Sequence, residues 1–501
     1  MKPTPTPPAP VSPLPESTAL TKPQASRTPR WWRLLLFTLT VGLGVSAWVL
    51  RDVIGLRGQA AFGFFAFILF VAGCSTNLRA VSWRTLGWGL ALQLLLAVLV
   101  LKGSWSIDGR EYSVYAAFER FGDVVKKFIS YADEGAKFVF GSLSDPLLLG
   151  KALAPNASVD DQFKAGFVFA LRALPPILFV AAFFTVLYHF GVLQWIVRVF
   201  ARVMVYLMGT SGAETLSVAA NVFMGQTEAP LIVKPYVPRM TNSELFTLMV
   251  SGMAHISGGM MAVYINYGAD PVAVITTCVM ACPCSLYLAK LFMPETSVPE
   301  TSGTLHAHRE KSPYVNAIDA AASGTSDGLR LAMNVAAMLI VFVAFVAMFN
   351  GLLGLIDKNW LMSRAWWPGA WVIPPDESLS LQWIFGKLFA PIAFLMGVEL
   401  ADTDKVGTLL GIKLAMNEHV AFLHMKTQFI PHHALSPRSF KLAAFALTGF
   451  ANFASIGIQL GGIGAMAPER RHDLARLGMR ALFVGFTATL VNAALAGIFL
   501  E

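Results

Sequence analysis

The sequence predicts an all-α polytopic membrane protein: about nine transmembrane helices, some broken, two re-entrant hairpins and two inverted repeats. Three observations carry this expectation. The 501 residues are 55% hydrophobic and 14% charged, with a mean hydropathy of +0.59, whereas soluble domains carry about 25% charged residues. Uncharged runs long enough to cross a hydrocarbon core of about 30 Å recur along the chain. Two short apolar stretches also end on polar tips, Gly225-Gln226-Thr227-Glu228 and Met416-Asn417-Glu418. Their arms are too short to cross, so each should fold back inside the membrane, where irregular backbone survives only within protein or beside a watery cavity.

The elements follow in order. Residues 1–30 have nine prolines and no aromatic residue, so they read as a disordered tail. Residues 31–192 read as N-terminal spans and an interfacial helix, mainly scaffold. Spans are expected at 31–50, 58–77 and 85–101. In 112–140, Phe118, Phe121, Val124, Val125 and Phe128 alternate with charged residues at helical spacing, the pattern of an amphipathic helix lying at the interface. Residues 145–162 read as loop, and 173–192 as a span kinked at Pro175-Pro176.

Repeat 1 is expected over 193–289: an amphipathic helix, hairpin 1 at 214–236, a broken span at 245–267 capped by Thr241 or Asn242, and a full span from 271 to 289. Residues 313–360 hold a further scaffold span, centred on 331–356 between loops at 294–312 and 360–377. Repeat 2 covers 381–501, with hairpin 2 at 402–426, a broken span at 442–468 and a last span at 481–500. Leu193-Gln194-Trp195-Ile196 recurs as Leu381-Gln382-Trp383-Ile384, and Leu207-Met208-Gly209 as Leu395-Met396-Gly397. Paired interrupted segments in two halves point to a transporter binding site.

The charge of +8 needs no nucleic acid, because basic cytoplasmic loops explain it. Lys22, Arg27 and Arg30 before the first span, and Arg79 and Arg84 after the second, put the N-terminus in the cytoplasm. Arg470, Arg471, Arg476 and Arg480 start the last span inside, leaving the C-terminus periplasmic. The compact chain suits a bacterial inner (plasma) membrane. Cys74, Cys278, Cys282 and Cys284 all sit in apolar stretches, so no disulfide framework is implied.

The polar tips suggest chemistry. Glu228 and Glu418 accept hydrogen bonds when ionised; Gln226, Asn417 and Asn452 donate and accept; Thr227 and Ser455 add hydroxyls. Phe450 offers a flat apolar face. The set suits a small, neutral, polyhydroxy ligand with an aromatic part and lacks the basic cluster a phosphate wants. No His-Glu-x-x-His or Gly-x-Ser-x-Gly occurs, so an intramembrane enzyme is not expected. A channel is the other rival.

Gly212-Ala213-Glu214-Thr215-Leu216-Ser217, Asn221 through Tyr236, Asn417-Glu418 and Gly449-Phe450-Ala451-Asn452-Phe453 resemble the concentrative nucleoside transporter family, from about residue 58 to the C-terminus. The resemblance implies a homotrimer moving nucleosides by an elevator-like displacement of a transport domain. It implies that Gly225, Gln226, Thr227 and Glu228 meet the nucleobase, with Met260 and Phe450 lining that pocket. Glu418, Asn452 and Ser455 would hold the ribose. A sodium site would match Asn221 with backbone oxygens of Met224 and Ile256. No cofactor is implied beyond a co-transported proton or sodium ion.

Departures from the family pattern bear on coupling. His255 stands where sodium-coupled members have a serine, Met260 replaces a smaller apolar residue, and His419 replaces an aromatic one. Cys282-Pro283-Cys284-Ser285 replaces an Ala-Pro-Gly-Gly-like turn, read as packing rather than a metal site. His306, His308, His432 and His433 read as solvated loop residues. A protonated His255 could take the place of sodium and carry protons, which is the first expectation. The alternative is a neutral His255 donating to a carbonyl, with sodium still bound by Asn221 and backbone.

Overall fold

The structure, a computed structural model, describes residues 28–107, 110–166, 168–172, 174–302, 314–355, 379–430 and 433–500. Helix dominates. The spans begin with α1 (Arg30–Val49), α2 (Arg51–Gly73) and α3 (Trp83–Lys102). An antiparallel pair, β1 (Ser104–Ile107) and β2 (Arg110–Ser113), leads into α4 (Val114–Phe140). α4 leaves Phe121, Val124, Tyr131 and Phe138 exposed and packs its other face on α8 (Leu174–His189) and α13 (Pro271–Phe292).

Several expectations need correcting. Residues 145–162 are not loop, because α5 (Pro146–Leu153) and α6 (Val159–Gly166) form there. Asp145 caps α5 by accepting from Leu147 and Leu148 N–H, and Pro146 fills the first helical position. Pro175 and Pro176 do not kink a span; they stand in the first turn of α8, after the short α7 (Phe169–Arg172), where their missing N–H groups cost nothing. The sharp bend comes later, 73° between α8 and α9 (Val192–Met208), with Gly191 left-handed at the break.

Repeat 1 continues with α10 (Gly212–Ala220), a turn and a 3₁₀ arm (Ala229–Val233), then α11 (Asn242–Ala254), α12 (Gly258–Asn266) and α13. Thr241 is the cap of α11 and forms a capping box with Glu244. The Cys-Pro-Cys segment is not a turn, since α13 runs through Pro283 as helix. α14 (Ala317–Gly354) starts well before the apolar run at 331. Asn316 caps it, and 38 residues give about 57 Å, longer than a hydrocarbon core.

Repeat 2 is α15 (Leu381–Leu395), α16 (Thr403–Ala415), α17 (Glu418–His424), α18 (Pro437–Leu447), α19 (Phe453–Met466) and α20 (Arg471–Phe499). α20 begins ten residues before the expected span, so its basic first turns are helical too. The tail at 1–27, the loop at 360–377, and His306, His308 and His432 lie outside the described residues.

Among the described residues, six helices are long and apolar enough to cross a membrane, and a seventh if the bent α8–α9 pair is one span. Buried side chains concentrate where α11, α13 and α20 pack together. α2 packs on α20 and α3 on α13, whereas α14 packs on α8.

Candidate functional site

Two hairpin tips and two helix breaks meet at one place. Ser211 caps α10 in a capping box with Glu214. Beyond Asn221 the chain stays irregular until Pro230 starts the second arm, because Gly225 O accepts from both Glu228 and Ala229 N–H and closes the tip. Glu228 is exposed on this tip, its Oε2 accepting from Gly225 N–H at 2.9 Å. Gln226 is buried. Its Nε2 donates to Ser455 Oγ at 3.2 Å, and its Oε1 accepts from Gln459 Nε2 at 3.2 Å. Gln459 also donates to Met249 O at 3.0 Å. This network needs Gly252: a Cβ there would stand 2.6 Å from Gln459 Nε2 and 3.0 Å from Gln226 Cβ. Thr227 packs on Gly462 of α19.

On the second hairpin, Asn417 caps α17 by accepting from Val420 N–H at 2.8 Å, which puts Glu418 at the first helical position. Glu418 is buried. Oε1 accepts from Tyr264 OH at 2.8 Å and Oε2 from Asn452 Nδ2 at 3.0 Å. Asn452 also caps α19, its Oδ1 accepting from Ser455 N–H at 2.9 Å. The two helix breaks are joined directly, Phe450 N–H donating to His255 O at 3.0 Å. Met260, four residues before Tyr264 on α12, is buried, and Phe450 is half-buried.

Around Asn221 the arrangement changes character. Nδ2 donates to Ser217 O at 3.2 Å and to Ser251 Oγ at 3.0 Å, which uses both amide hydrogens. Oδ1 is buried with no partner, and so is Ser217 Oγ one turn earlier. Buried oxygens are normally satisfied, so these two, one helix turn apart, have room for a further donor, a water or a cation. Gly258 N–H donates to Phe223 O at 2.9 Å, fastening the turn that carries Met224 to the break that carries Ile256.

His255 is buried, with Nδ1 2.8 Å from Ser251 O and Nε2 3.5 Å from Cys282 Sγ. A carbonyl only accepts, so Nδ1 carries the hydrogen and Nε2 faces the thiol, an assignment made from the hydrogen-bond network. No carboxylate forms an ion pair with His255 among the described residues. The Ser251 carbonyl thus accepts twice from His255, from its backbone N–H at 3.2 Å and from its ring, and with no carboxylate beside it the imidazole has nothing to stabilise a charge, which does not favour the proton-carrier expectation. Cys282 packs here and also donates to Val218 O. No group of three metal-ligating side chains occurs among the described residues. His419 pairs with Tyr267 OH at 3.1 Å behind Glu418.

Residues 62–143, 170–271 and 273–497 match family models described as Na+ dependent nucleoside transporter N-terminus, Nucleoside recognition, and Na+ dependent nucleoside transporter C-terminus. The sodium/nucleoside cotransporter 1 of Homo sapiens is 37% identical over 495 residues, covering 95% of this chain and 69% of that protein. This chain belongs to the concentrative nucleoside transporter family. An uncharacterized transporter of Haemophilus influenzae is 38% identical over 445 residues, covering 88% of this transporter and 97% of its relative. Among solved structures, CNTnw in an inward-facing substrate-bound state superposes with a TM-score of 0.76 at 34% identity, covering 89% of this transporter and 98% of CNTnw. A doubly substituted CNTnw in an outward-facing state gives 0.77 at 35%, with the same coverage. The family are transporters and not enzymes.

Sequence reasoning missed Tyr264, Gln459, Ser251 and Ser217. Gln459 carried a signal: it follows Asn452 and Ser455 at helical spacing on α19. Tyr264 carried none, because its bond to Glu418 joins residues 154 apart in sequence.

Proposed function

We propose that this transporter is a sodium-coupled nucleoside symporter. The observation that carries this reading is the buried, partnerless Asn221 Oδ1, with both hydrogens of its amide already committed. Sodium is a hard cation that takes oxygen ligands. Asn221 Oδ1 and backbone oxygens of Met224 and Ile256 would hold it, and the relatives' sodium-dependent description supports the same ion.

Gln226, Thr227 and Glu228, with Gly225 closing their turn, would read the nucleobase against Phe450 and Met260. Glu418, Asn452 and Ser455 would take the ribose. A carboxylate offers about four lone-pair sites, so Glu418 keeps capacity for sugar hydroxyls beyond Tyr264 and Asn452. Sodium binding would stiffen the Asn221 turn whose far end presents Gln226, linking ion to substrate.

The reading extends to a homotrimer in a bacterial inner membrane, N-terminus cytoplasmic and C-terminus periplasmic, working by an elevator-like movement. The α8–α14 pair would be the fixed part and the two repeats the moving one. Nucleoside uptake into proteoliposomes under separately imposed sodium and pH gradients tests the coupling. A sodium gradient should drive accumulation and a pH gradient in sodium-free vesicles should not. The reverse result would return the reading to His255 and protons.

A further inference from the structure

The site holds two carboxylates, Glu228 and Glu418, and a buried cation that neither the ion site nor the substrate contacts use. Lys413 lies in the first arm of hairpin 2, five residues before Glu418, and is fully buried. Its Nζ donates to Ala446 O at 2.7 Å and Thr489 Oγ1 at 2.9 Å, and sits 5.3 Å from the centre of the Phe486 ring. Ala446 is in the last turn of α18, where helix carbonyls lack helical partners and carry partial negative charge.

All these partners are neutral. A buried ammonium with no charge to answer it is costly. The buried carboxylate on the same hairpin is Glu418, and the two are joined through one packed cluster: Thr489, which accepts from Lys413, lies against Gly449, three residues before the Asn452 that donates to Glu418. Tyr264 and His419 are the other titratable groups against Glu418.

We propose that Lys413 is the fixed counter-charge of the nucleoside pocket. It offsets one of the two carboxylates, and a single sodium ion offsets the other. The loaded pocket then crosses the membrane with no net charge, and a neutral nucleoside fits without a second cation. Lys413 touches no substrate in this arrangement; it is a positioning residue that keeps Glu418 ionised and holds it to the end of α18. The inference rests on the sodium-coupled reading.

The test uses full-length purified protein and a double-substitution cycle on Tm. Lys413→Met should lower Tm, and adding Glu418→Gln should bring it back toward the wild-type value, because both charges are then gone. The Lys413→Met deficit should shrink as the pH is taken from mildly alkaline to mildly acidic, since Glu418 then accepts a proton in place of the lost partner. The double variant should show no such slope, and Lys413→Arg, which keeps the charge, should not acquire one. A lysine that only hydrogen-bonds Ala446 and Thr489 gives the opposite result: the second substitution adds its own loss and no pH slope appears. That result overturns the proposal.

If Lys413→Met does not accumulate as folded protein, the wild type decides. In saturating sodium, uridine binding measured calorimetrically in buffers of different ionisation heat should take up no proton across the same pH range, and uptake of one proton per uridine overturns the proposal. Uridine binding indifferent to sodium would instead defeat the sodium-coupled reading, and the Tm cycle would still report on the Lys413–Glu418 pair.

Discussion

Replacing Glu418 with glutamine is the sharpest perturbation of the site. The carboxylate accepts from Tyr264 OH and from Asn452 Nδ2. A glutamine keeps one acceptor oxygen, which can stay on Asn452 Nδ2, and turns the other position into a donor, which Tyr264 OH can accept. That rearrangement is present with and without substrate and largely cancels from affinity. What does not cancel is the charge-assisted bond to a ribose hydroxyl, worth about 1.5–3 kcal/mol. At 1.4 kcal/mol per decade the nucleoside Kd should rise roughly 10- to 150-fold. The assay is equilibrium binding of uridine to purified protein in saturating sodium, with a 2′,3′-dideoxynucleoside measured alongside. The dideoxy ligand lacks the hydroxyls, so Glu418→Gln should change its affinity little. Wild-type uridine affinity in the variant, or an equal loss for both ligands, would refute the assignment of Glu418 to the sugar.

Other predictions follow from the same geometry. Asn221→Ala removes the partnerless oxygen, and the sodium concentration for half-maximal uptake should rise at least tenfold at fixed nucleoside, a shift of about 1.4 kcal/mol; unchanged sodium dependence would move the ion elsewhere. Gly252→Ala places a methyl 2.6 Å from Gln459 Nε2, and overpacking costs about 1–3 kcal/mol, so nucleoside KM should rise while the sodium dependence stays unchanged. His255→Ser should leave uptake sodium-driven and lower the sodium requirement, because the hydroxyl adds a hard ligand; uptake that then stops responding to a pH gradient present in the wild type would contradict the neutral-histidine geometry. Asp402, at the foot of hairpin 2, is held below the ordinary carboxylate range: burial pushes it up, but Ser436 N–H and the Lys405 ammonium at 3.0 Å outweigh that. Its contribution to stability is therefore present above the unfolded carboxylate range and lost as the pH falls through the folded value. Tm should fall below about pH 4, and Asp402→Asn should lower Tm at neutral pH and flatten that fall.

The architecture was legible wherever polarity interrupts an apolar run. Gly225–Glu228 and Asn417–Glu418 stood out because a polar group in hydrocarbon needs a reason to be there. The breaks at His255 and Asn452 were legible through their glycines, whereas the caps Ser257 and Asn452 emerged only with the structure. α5 and α6 were missed because each has only eight residues, too few to show a period, and Asp145-Pro146 was the one start signal. The first turns of α14 were missed because alanine, serine and glycine give no apolar stripe, although Asn316 and Asp319 mark a helix start. The second layer of the site was hidden for a different reason. Tyr264 on Glu418 and Ser251 on Asn221 are long-range pairings, and only packing decides which side chains meet. Lys413 was visible as one charge inside Leu409-Leu410-Gly411-Ile412-Lys413-Leu414, but its partners on α18 and α20 were not.

The hydrogen bond from Phe450 N–H to His255 O joins the two helix breaks at their exposed backbone, and Gly449 lets them approach, since a Cβ there would meet Ala254 O at 3.1 Å. A hinge between the repeats would have to tear this seam and strand a donor and an acceptor in the membrane interior. In the movement proposed above, the halves assigned to sugar and base would therefore travel as a single cargo bay on a shared floor. Entry and exit would then fall to the hairpins, since the bonds of Gln226 to Ser455 and Gln459, and of Glu418 to Tyr264 and Asn452, are separate from that seam.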